Sequence, residues 1–260
     1  MVDLDNKVAV VTGGTSGIGH ATAILLAQHG ARVVVGDVLQ ADENAALFAG
    51  LDIRQASCDV RSEKDVEGLI REAASIAGRI DILVNNAGVS GDRQITDVTE
   101  AEWDRFLDTN LKGAFLTCKH VIPLMRPDGG SIINVSSNAG LLPRAHDPVY
   151  STSKSALIGL TRALALCHSA DKIRVNCVCP GPVEGTVMMD VGLASSGDPD
   201  AKRQELIDAS PLARAHERMI SPEEIAQAVL YLASDASVMV TGTSVAIDGG
   251  KSLGVPPKPS

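Results

Sequence analysis

The residues with the clearest potential for chemistry are Tyr150 and Lys154, in the stretch YSTSK. Tyrosine occurs only twice in the 260 residues. This one stands four residues before a lysine, so on a helix both side chains project from one face. A neighbouring ammonium stabilises a phenolate and lowers the phenol pKa from its usual value of about 10, which would let Tyr150 act as a general base near neutral pH. The same spacing also fits two residues that only line the exposed face of an amphipathic helix.

A hydroxyl group that could work with this pair is that of Ser137, thirteen residues before Tyr150. It stands at the carboxyl end of a predicted strand over 131–137. Open parallel sheets bind their ligands at that edge. Ser136 is the less suitable hydroxyl, because alternation along a strand sends its side chain to the other face.

A glycine-rich turn, TGGTSGIG over 12–19, follows the first predicted strand and opens a helix. Gly13, Gly17 and Gly19 allow a tight turn and a close approach of the backbone to a ligand. The helix directs free N–H groups and its positive dipole end at that place, which suits a phosphate. Glycine also serves ordinary turns, so the interpretation as a dinucleotide site rests on the position between strand and helix.

The acid that follows this turn is Asp37, twenty residues after Gly17 at the end of the second predicted strand. A carboxylate there accepts the adenosine ribose hydroxyls of NAD and repels the 2′-phosphate of NADP. Arg32 lies too far back on that strand to bind the phosphate, and Ser16 offers no cation in the turn. The pattern favours NAD, although Asp37 could also do no more than end a strand and cap a helix.

The elements that must position these groups alternate between strand and helix along the chain. Strands that are apolar throughout, separated by helices, predict a parallel sheet covered on both faces. We therefore predict an α/β fold, a Rossmann-like doubly wound seven-stranded parallel sheet, as one dinucleotide-binding and catalytic domain over 1–260. A polar segment over 184–220 interrupts the pattern and predicts a substrate lid or an oligomer contact. Strands are expected at 7–14, 32–37, 52–58, 79–88, 131–137, 172–181 and 243–250, and helices at 17–31, 41–50, 62–78, 100–125, 149–169 and from 221.

Composition excludes several classes of function. The net charge of −9 argues against nucleic-acid binding and, more weakly, against docking on an anionic membrane. No apolar run is long enough to span a bilayer, and we see no signal peptide. The five cysteines are scattered and are expected to be buried thiols in a reducing cytoplasm, with Cys177 and Cys179 on one face of a strand. No metal-ligand cluster is apparent, so no metal is expected.

Taken together, the motifs resemble those of the short-chain dehydrogenase/reductase family. The resemblance covers nearly the whole chain, in the family's order and spacing. It is carried by TGGTSGIG at 12–19, NNAG at 85–88, Asn110, the serines at 136–137, YSTSK at 150–154, PG at 180–181 and DGG at 248–250.

The resemblance implies a catalytic group made of Tyr150 as acid/base, Lys154 as its activator, Ser137 as the hydroxyl that orients the substrate oxygen, and Asn110. Asn110 would hold a water that links Lys154 to solvent. Lys154 and the nicotinamide of NAD would together lower the pKa of Tyr150. The implied NAD-binding residues are Gly13, Thr15, Ser16, Gly17, Ile18, Gly19, Asp37, Val38, Asp59, Val60, Asn86, Ala87, Gly88, Tyr150, Lys154, Pro180, Gly181, Val183 and Thr186.

Within this set, Asp59 and Val60 would contact the adenine, and Thr186 would bond the nicotinamide carboxamide. The chain departs from the family's usual spacing at this last position. It reads PGPVEGT, with Gly185 inserted before Thr186.

The implied reaction is reversible hydride transfer between a secondary alcohol and its ketone. The expected substrate contacts are Ser137, Ala139, Leu142, His146, Tyr150, Met188 and Met189. Their mostly aliphatic character favours a neutral, apolar and cyclic or terpenoid-like substrate. Arg144 is the only candidate anchor for an anionic substrate in the stretch 137–149, but it is expected to face solvent. The alternatives are an NADP-linked 3-oxoacyl carrier reductase and a non-catalytic NAD-binding regulatory protein. The resemblance also implies a homotetramer.

Overall fold

The structure is a computed structural model that describes residues 2–38 and 45–254. The sheet in this part of the chain has seven strands in the order β3-β2-β1-β4-β5-β6-β7, and every neighbouring pair is parallel. The doubly wound α/β architecture predicted from the sequence is therefore confirmed. The strands are β1 Val8–Thr12, β2 Arg32–Asp37, β3 Ile53–Ser57, β4 Ile82–Asn85, β5 Gly130–Val135, β6 Ile173–Pro180 and β7 Ser244–Ile247.

The helices lie between these strands and begin at ordinary capping signals. Ser62 caps α2 and Gly78 ends it in the left-handed conformation, while Ser221 and Glu224 form a capping box at α9. The helices are α1 Gly17–Gln28, α2 Glu63–Ala77, α3 Glu100–Leu107, α4 Gly113–Met125, α5 Pro148–Cys167, α6 Val187–Ala194, α7 Pro199–Asp208, α8 Pro211–Ala215 and α9 Pro222–Ala233.

Alternation along the central strands creates two apolar cores, one on each face of the sheet. Ala9 and Val11 of β1 pack in the core that includes residues of α1 and α9. Val8 and Val10 of the same strand pack in the opposite core, which includes residues of α2 and α4. Because β1 lies between β2 and β4, the chain crosses over at this point and leaves a crevice at the carboxyl ends of the strands.

Three predicted elements differ from the structure. The helix predicted at 41–50 lies partly outside the described residues, and within them Ala45–Phe48 forms a short 3₁₀ turn. The helix predicted at 100–125 is interrupted by a π-helical turn, Asp108–Lys112. The segment at 184–220 contains α6, α7 and α8, and its two ends meet in a parallel bridge between Val183 and Ile220.

This segment has an apolar centre of its own, made of Leu193, Ile207 and Met219. In α8, the Leu212 N–H donates to the Gly249 carbonyl, 3.0 Å away, which ties the segment to the turn after β7. Within the described part of the chain, none of the helices combines the length and the apolar character that crossing a bilayer requires.

Candidate active site

The glycine turn between β1 and α1 forms a cradle that side chains would fill. Gly13 and Gly17 have φ values of +63° and +52°, a region that favours glycine. A Cβ at Gly19 would lie 2.2 Å from the Gly13 carbonyl oxygen. The first N–H groups of a helix have no partner within the helix, so those at the start of α1 are donors that suit a phosphate. The predicted fit to a dinucleotide therefore rests on the shape of this cradle.

Asn86 ties this cradle to β4. Its side-chain amide donates to the carbonyl oxygens of Thr12 and Gly13 at 3.0 and 2.8 Å. The Thr12 hydroxyl accepts the backbone N–H groups of Asn86 and Ala87, both at 3.1 Å. The side chain of Asn86 thus braces the turn, while Ala87 and Gly88 follow it along the floor of the crevice.

Asp37 stands beside the same turn at the end of β2. Its carboxylate accepts the Thr15 hydroxyl at 2.7 Å and the Thr15 N–H at 3.2 Å. This pair fixes the orientation of the carboxylate at the place where the adenosine ribose of a bound dinucleotide would lie. The next residue, Val38, is exposed, and Ile18 of α1 is packed against the core.

On the adenine side of the predicted cleft, the carboxylate of Asp59 is held by Arg61, whose Nε and guanidinium nitrogen donate at 2.9 and 2.6 Å. This bond keeps the pKa of Asp59 below its usual value. Val60 is buried against Gly113, where an added Cβ would lie 2.8 Å from the valine side chain. Both residues thus have structural partners within the chain.

Ser137 and Tyr150 meet at the carboxyl edge of the sheet. Both side chains are buried, and the Ser137 hydroxyl lies near enough to the phenol to lower its pKa. The Ser137 hydroxyl also accepts the Ala139 N–H at 3.1 Å. Ser136, in contrast, directs its hydroxyl to the Lys154 carbonyl at 2.8 Å. The structure therefore places Ser137 at the phenol and uses Ser136 to brace the helix.

The pKa of Tyr150 is set mainly by burial, which raises it above the usual value for a phenol. The neighbouring Ser137 hydroxyl and the positive charge of Arg144 act in the opposite direction but do not outweigh burial. The chain's own residues therefore do not lower this pKa, contrary to the argument made from the Tyr150–Lys154 spacing alone. Ionisation of Tyr150 near neutral pH therefore needs a further positive charge beside the ring.

Lys154 lies on the same face of α5 as Tyr150. Its Nζ is 5.8 Å from the centroid of the tyrosine ring and donates to the Val135 carbonyl at 2.9 Å. Burial lowers its pKa from 10.5 to about 8, and the nearby thiols Cys177 and Cys179 act in the opposite direction. The two thiols share one face of β6, as predicted, with their sulfur atoms 3.5 Å apart.

Burial of this lysine predicts a dependence of folding stability on pH. Between about pH 8 and 10.5 the unfolded chain binds a proton that the folded chain does not, because the folded pKa is the lower one. The contribution of Lys154 to the free energy of unfolding therefore rises with pH in this window, by about 2–3 kcal/mol. Buried thiols with raised pKa values, such as Cys58 and Cys118, act in the opposite direction in both proteins. Urea unfolding of the wild type and Lys154→Met across this range should therefore show a difference between the two proteins that changes by this amount. Parallel curves for the two proteins would contradict the burial argument.

Asn110 lies in the π-helical turn and connects two parts of the site. Its amide donates to Ser153 at 3.0 Å and to the Val89 carbonyl at 3.0 Å, and its oxygen accepts the Val89 N–H at 2.8 Å. The wider turn arises where the Gly113 N–H bonds to Asp108, five residues earlier. Such turns often occur at functional sites. Asn110 thus joins the loop after β4 to α5, next to Gly88 and Lys154.

The residues after β6 close the other side of the crevice. Pro180 ends the strand, and Gly181 lies so near Asp248 that an added Cβ would be 2.8 Å from its Cα. Thr186 begins α6, and its hydroxyl accepts the Met189 N–H at 3.2 Å. The inserted Gly185 has a φ of +63°, and Thr186 still stands against the glycine turn, 3.0 Å from a Cβ built on Gly17.

The predicted substrate wall is only partly assembled. Ala139 is buried with Tyr150 and Val149, whereas Leu142 and Met188 are exposed. Met189 packs against the apolar centre of the 184–220 segment, and His146 is exposed on the loop before α5.

One contact and one cluster were not found by sequence reasoning. Arg144 is exposed, as expected, but its guanidinium also lies 5.9 Å from the centroid of the Tyr150 ring. Within the described residues, Glu63, Glu67 and His120 form a cluster that could hold a metal ion, although Glu63 is already paired with Lys119. None of these three residues belongs to the predicted site. Glu63 and Glu67 lie on α2 and His120 lies on α4, so the cluster forms only where the two helices pack together.

Comparison with known proteins agrees with this arrangement. A family model described as enoyl-(acyl carrier protein) reductase matches residues 13–252. Cis-4-hydroxycyclohexanecarboxylate dehydrogenase of Sinomonas cyclohexanicum is 38% identical over 94% of this chain and 96% of its own. The 3-oxoacyl-[acyl-carrier-protein] reductase of Thermotoga maritima is 36% identical over 95% of this chain and 98% of its own.

Solved structures give the same result. A chain from Burkholderia xenovorans, described as a short-chain dehydrogenase/reductase, superposes with a TM-score of 0.91 at 34% identity, covering 98% of this chain and all of its own. The protein described here belongs to the short-chain dehydrogenase/reductase family of oxidoreductases, whose members bind a nicotinamide cofactor.

Proposed function

We propose that the protein is an NAD-dependent oxidoreductase that interconverts a secondary alcohol with an apolar, cyclic skeleton and its ketone. The observation that carries the proposal is the convergence of Ser137, Tyr150 and Lys154 beside the glycine cradle. Bound NAD would supply the hydride acceptor, held by the cradle and by Asp37. The remaining steps belong to the chain's own side chains.

In the oxidation direction, Tyr150 takes the hydroxyl proton of the alcohol as its general base. Ser137 orients the alcohol oxygen through its hydroxyl, and the buried surroundings exclude water from the reacting groups. Without a cofactor, burial keeps the pKa of Tyr150 above the usual value for a phenol. The phenol holds its proton until positive charge is added next to it, which couples its ionisation to the arrival of the oxidised cofactor.

Lys154, on the same face of α5 as Tyr150, holds the cofactor ribose in this proposal. A proton accepted by Tyr150 must leave a closed site. We propose that it leaves past Lys154 and Asn110, since Asn110 bonds both Ser153 and the loop at Val89. In the reduction direction Tyr150 donates the proton to the ketone oxygen.

The preference for NAD over NADP is proposed on the position of Asp37. Its carboxylate is held towards the glycine turn by Thr15, and the residue before Gly17 is the uncharged Ser16. A 2′-phosphate would meet the negative charge of this carboxylate. The Thermotoga maritima relative is named as a 3-oxoacyl-carrier reductase, and an NADP-linked reaction of that class remains the second candidate function.

Replacement of Asp37 should therefore change the cofactor preference. In Asp37→Ala we expect the ratio of kcat/KM for NAD to that for NADP to fall roughly 10- to 100-fold, the loss expected for charge-assisted hydrogen bonds. Steady-state kinetics with both cofactors measure the ratio. Asp52→Ala, which removes the same charge from an exposed position, is the control and should leave it unchanged. A wild type that prefers NADP would contradict the proposal.

The proposed substrate skeleton follows from the aliphatic side chains near the crevice. Leu142, Val187, Met188 and Val191 are all exposed, and methionine adapts to irregular shapes. The relative from Sinomonas cyclohexanicum is named for a cyclic secondary alcohol. A panel of cyclic, linear and terpenoid secondary alcohols with NAD, followed by NADH absorbance, tests the proposal. Measurable NAD binding without turnover of any alcohol or ketone would instead favour a non-catalytic binding protein.

We also propose that the chain assembles as a homotetramer. Leu157 and Ile158 of α5 are buried within the chain, so they are not available to a subunit contact. Leu166 at the end of α5 is 80% exposed and Met239 is 91% exposed, which leaves apolar surface for a second copy. Sedimentation equilibrium distinguishes a tetramer from a dimer or a monomer.

A further inference from the structure

Arg144 is a cation placed at the reacting phenol and not used by the mechanism above. It lies on the loop between β5 and α5, with its guanidinium carbon 5.9 Å from the centroid of the Tyr150 ring. The backbone of Arg144 is fixed in this loop, because its N–H donates to the Ser151 hydroxyl at 3.2 Å. A surface arginine that moved freely would have neither this hydrogen bond nor the contact with the tyrosine ring.

The partners of the guanidinium leave part of it unused. One terminal nitrogen donates to the Asn138 amide oxygen at 2.9 Å, and the other lies 3.4 Å from the Asp147 carboxylate. A guanidinium has five N–H donors in a rigid fork. Asn138 and Asp147 therefore orient the group without saturating it, and its side chain is 41% exposed. The remaining donors are free to receive a planar oxyanion.

Charged groups of both signs surround Arg144. Asp147 is the carboxylate in contact with it, and this acid also accepts the Ser151 hydroxyl at 3.1 Å. The negative charge of Asp92 acts on Asp147 as well. Lys251, after β7, is half-buried, and both burial and the positive charge of Arg144 lower its pKa. Within the described residues Lys251 has no ion-pair partner within 4.0 Å.

The other charged groups near Lys251 have partners elsewhere. Lys202 is paired with Glu205 at 2.9 Å. The carboxylate of Asp248 accepts the N–H groups of Gly250 and Ser252 at 2.9 and 2.8 Å. These acids favour the charged form of Lys251 without making a direct ion pair with it. Lys251 thus adds a second cation near Arg144, beside an otherwise aliphatic wall.

We propose that Arg144, assisted by Lys251, binds a carboxylate carried by the substrate, so that the substrate is a hydroxy acid or keto acid with an apolar skeleton. This inference rests on the proposed function and replaces the neutral substrate expected from the sequence. The carboxylate is anchored by Arg144 while the alcohol oxygen lies at Ser137 and Tyr150. An anchor at one end and the reacting carbon at the other hold the apolar skeleton in one orientation.

A competing role for Arg144 would be purely electrostatic, because its charge favours the ionised form of Tyr150. The two roles differ in their ligand dependence. An anchor matters only for substrates that carry a carboxylate. A charge that tunes Tyr150 matters for every substrate and shifts the pH profile of kcat.

Calorimetric titration of the enzyme–NADH complex tests the anchor without turnover. Cyclohexanecarboxylate is the probe, and cyclohexanecarboxamide is its uncharged match. We expect the wild type to bind the carboxylate more tightly, and Arg144→Gln to lose roughly 10- to 100-fold in carboxylate affinity with little change for the carboxamide. Lys251→Gln, on a separate element, should lose affinity in the same direction. Arg203→Gln, which removes one positive charge from α7, should behave as wild type.

Kinetics with hydroxycyclohexane carboxylates and their carboxamides complete the test. A loss of kcat/KM in Arg144→Gln confined to the carboxylates supports the anchor. Equal losses for both series with a shifted pH profile, or equal binding of both probes by the wild type, overturn it. Should the wild type oxidise neutral alcohols but neither bind nor oxidise carboxylates, the anchor fails and the proposed function stands. Carboxylate binding that depends on Arg144 without any turnover would instead contradict the proposed function and retain the anchor.

Discussion

Replacement of Tyr150 by phenylalanine is expected to lower kcat by about 100- to 10,000-fold, the range attributed to general acid–base catalysis. The ring is buried, so phenylalanine occupies the same space and removes only the hydroxyl, which lies near Ser137. NAD binding and the unfolding midpoint should change little. Stopped-flow measurement of NADH formation with saturating alcohol gives the rate, and fluorescence titration gives NAD affinity.

The chain offers a matched control for this substitution. Tyr231 is its other tyrosine and is 45% exposed on α9, so Tyr231→Phe should keep the wild-type rate. If Tyr150→Phe also oxidised alcohols at that rate, another group would have to accept the proton. The assignment of the general base would then be wrong.

Gly19→Val is expected to abolish NAD binding within the measurable range. A Cβ at this position would lie 2.2 Å from the Gly13 carbonyl oxygen and 2.4 Å from the Asn86 amide nitrogen. The first neighbour is backbone, so the turn itself must move, and the N–H groups that would receive the phosphates move with it. Calorimetric titration with NAD measures the loss, and circular dichroism establishes that the variant is folded.

Gly68→Ala is the matched control for the cradle. Gly68 also lies in a helix that follows a strand, but nothing lies within 4 Å of an added Cβ. The substitution should leave NAD affinity unchanged and stabilise the fold by about 0.5–1 kcal/mol, because glycine costs more conformational entropy in a helix than alanine does. Wild-type NAD affinity in Gly19→Val would show that the cradle does not receive the cofactor.

Local sequence patterns were sufficient to predict the strands of the sheet. The central strands are largely apolar runs between helices, whereas the edge strand β3 contains Arg54 and Gln55. The structure places Val8 and Val10 on one face of β1 and Ala9 and Val11 on the other. Ser62, Gly78 and Ser221 marked helix ends because capping depends on neighbouring residues only. The break at Asp108–Lys112 could not be predicted in this way, because Asn110 is held there by Val89 and Ser153, which are distant in sequence.

The site shows the same division between local and long-range effects. The glycine turn and the Tyr150–Lys154 spacing follow from short motifs. The raised pKa of Tyr150 does not, since it depends on how deeply the folded chain buries the ring. The position of Arg144 over that ring depends on contacts with Asn138 and Asp147 across the loop. Such contacts exist only once the loop between β5 and α5 has closed.

The central claim is that Tyr150 becomes a phenolate when a cationic cofactor lies beside it. Titration of tyrosinate absorbance with pH tests this directly, because the chain has only two tyrosines and Tyr231→Phe leaves Tyr150 as the sole one. In that variant we expect a pKa above the usual value for the free protein and one well below it with saturating NAD. An unchanged pKa on NAD binding, or the same low transition in Tyr150→Phe, would contradict the account.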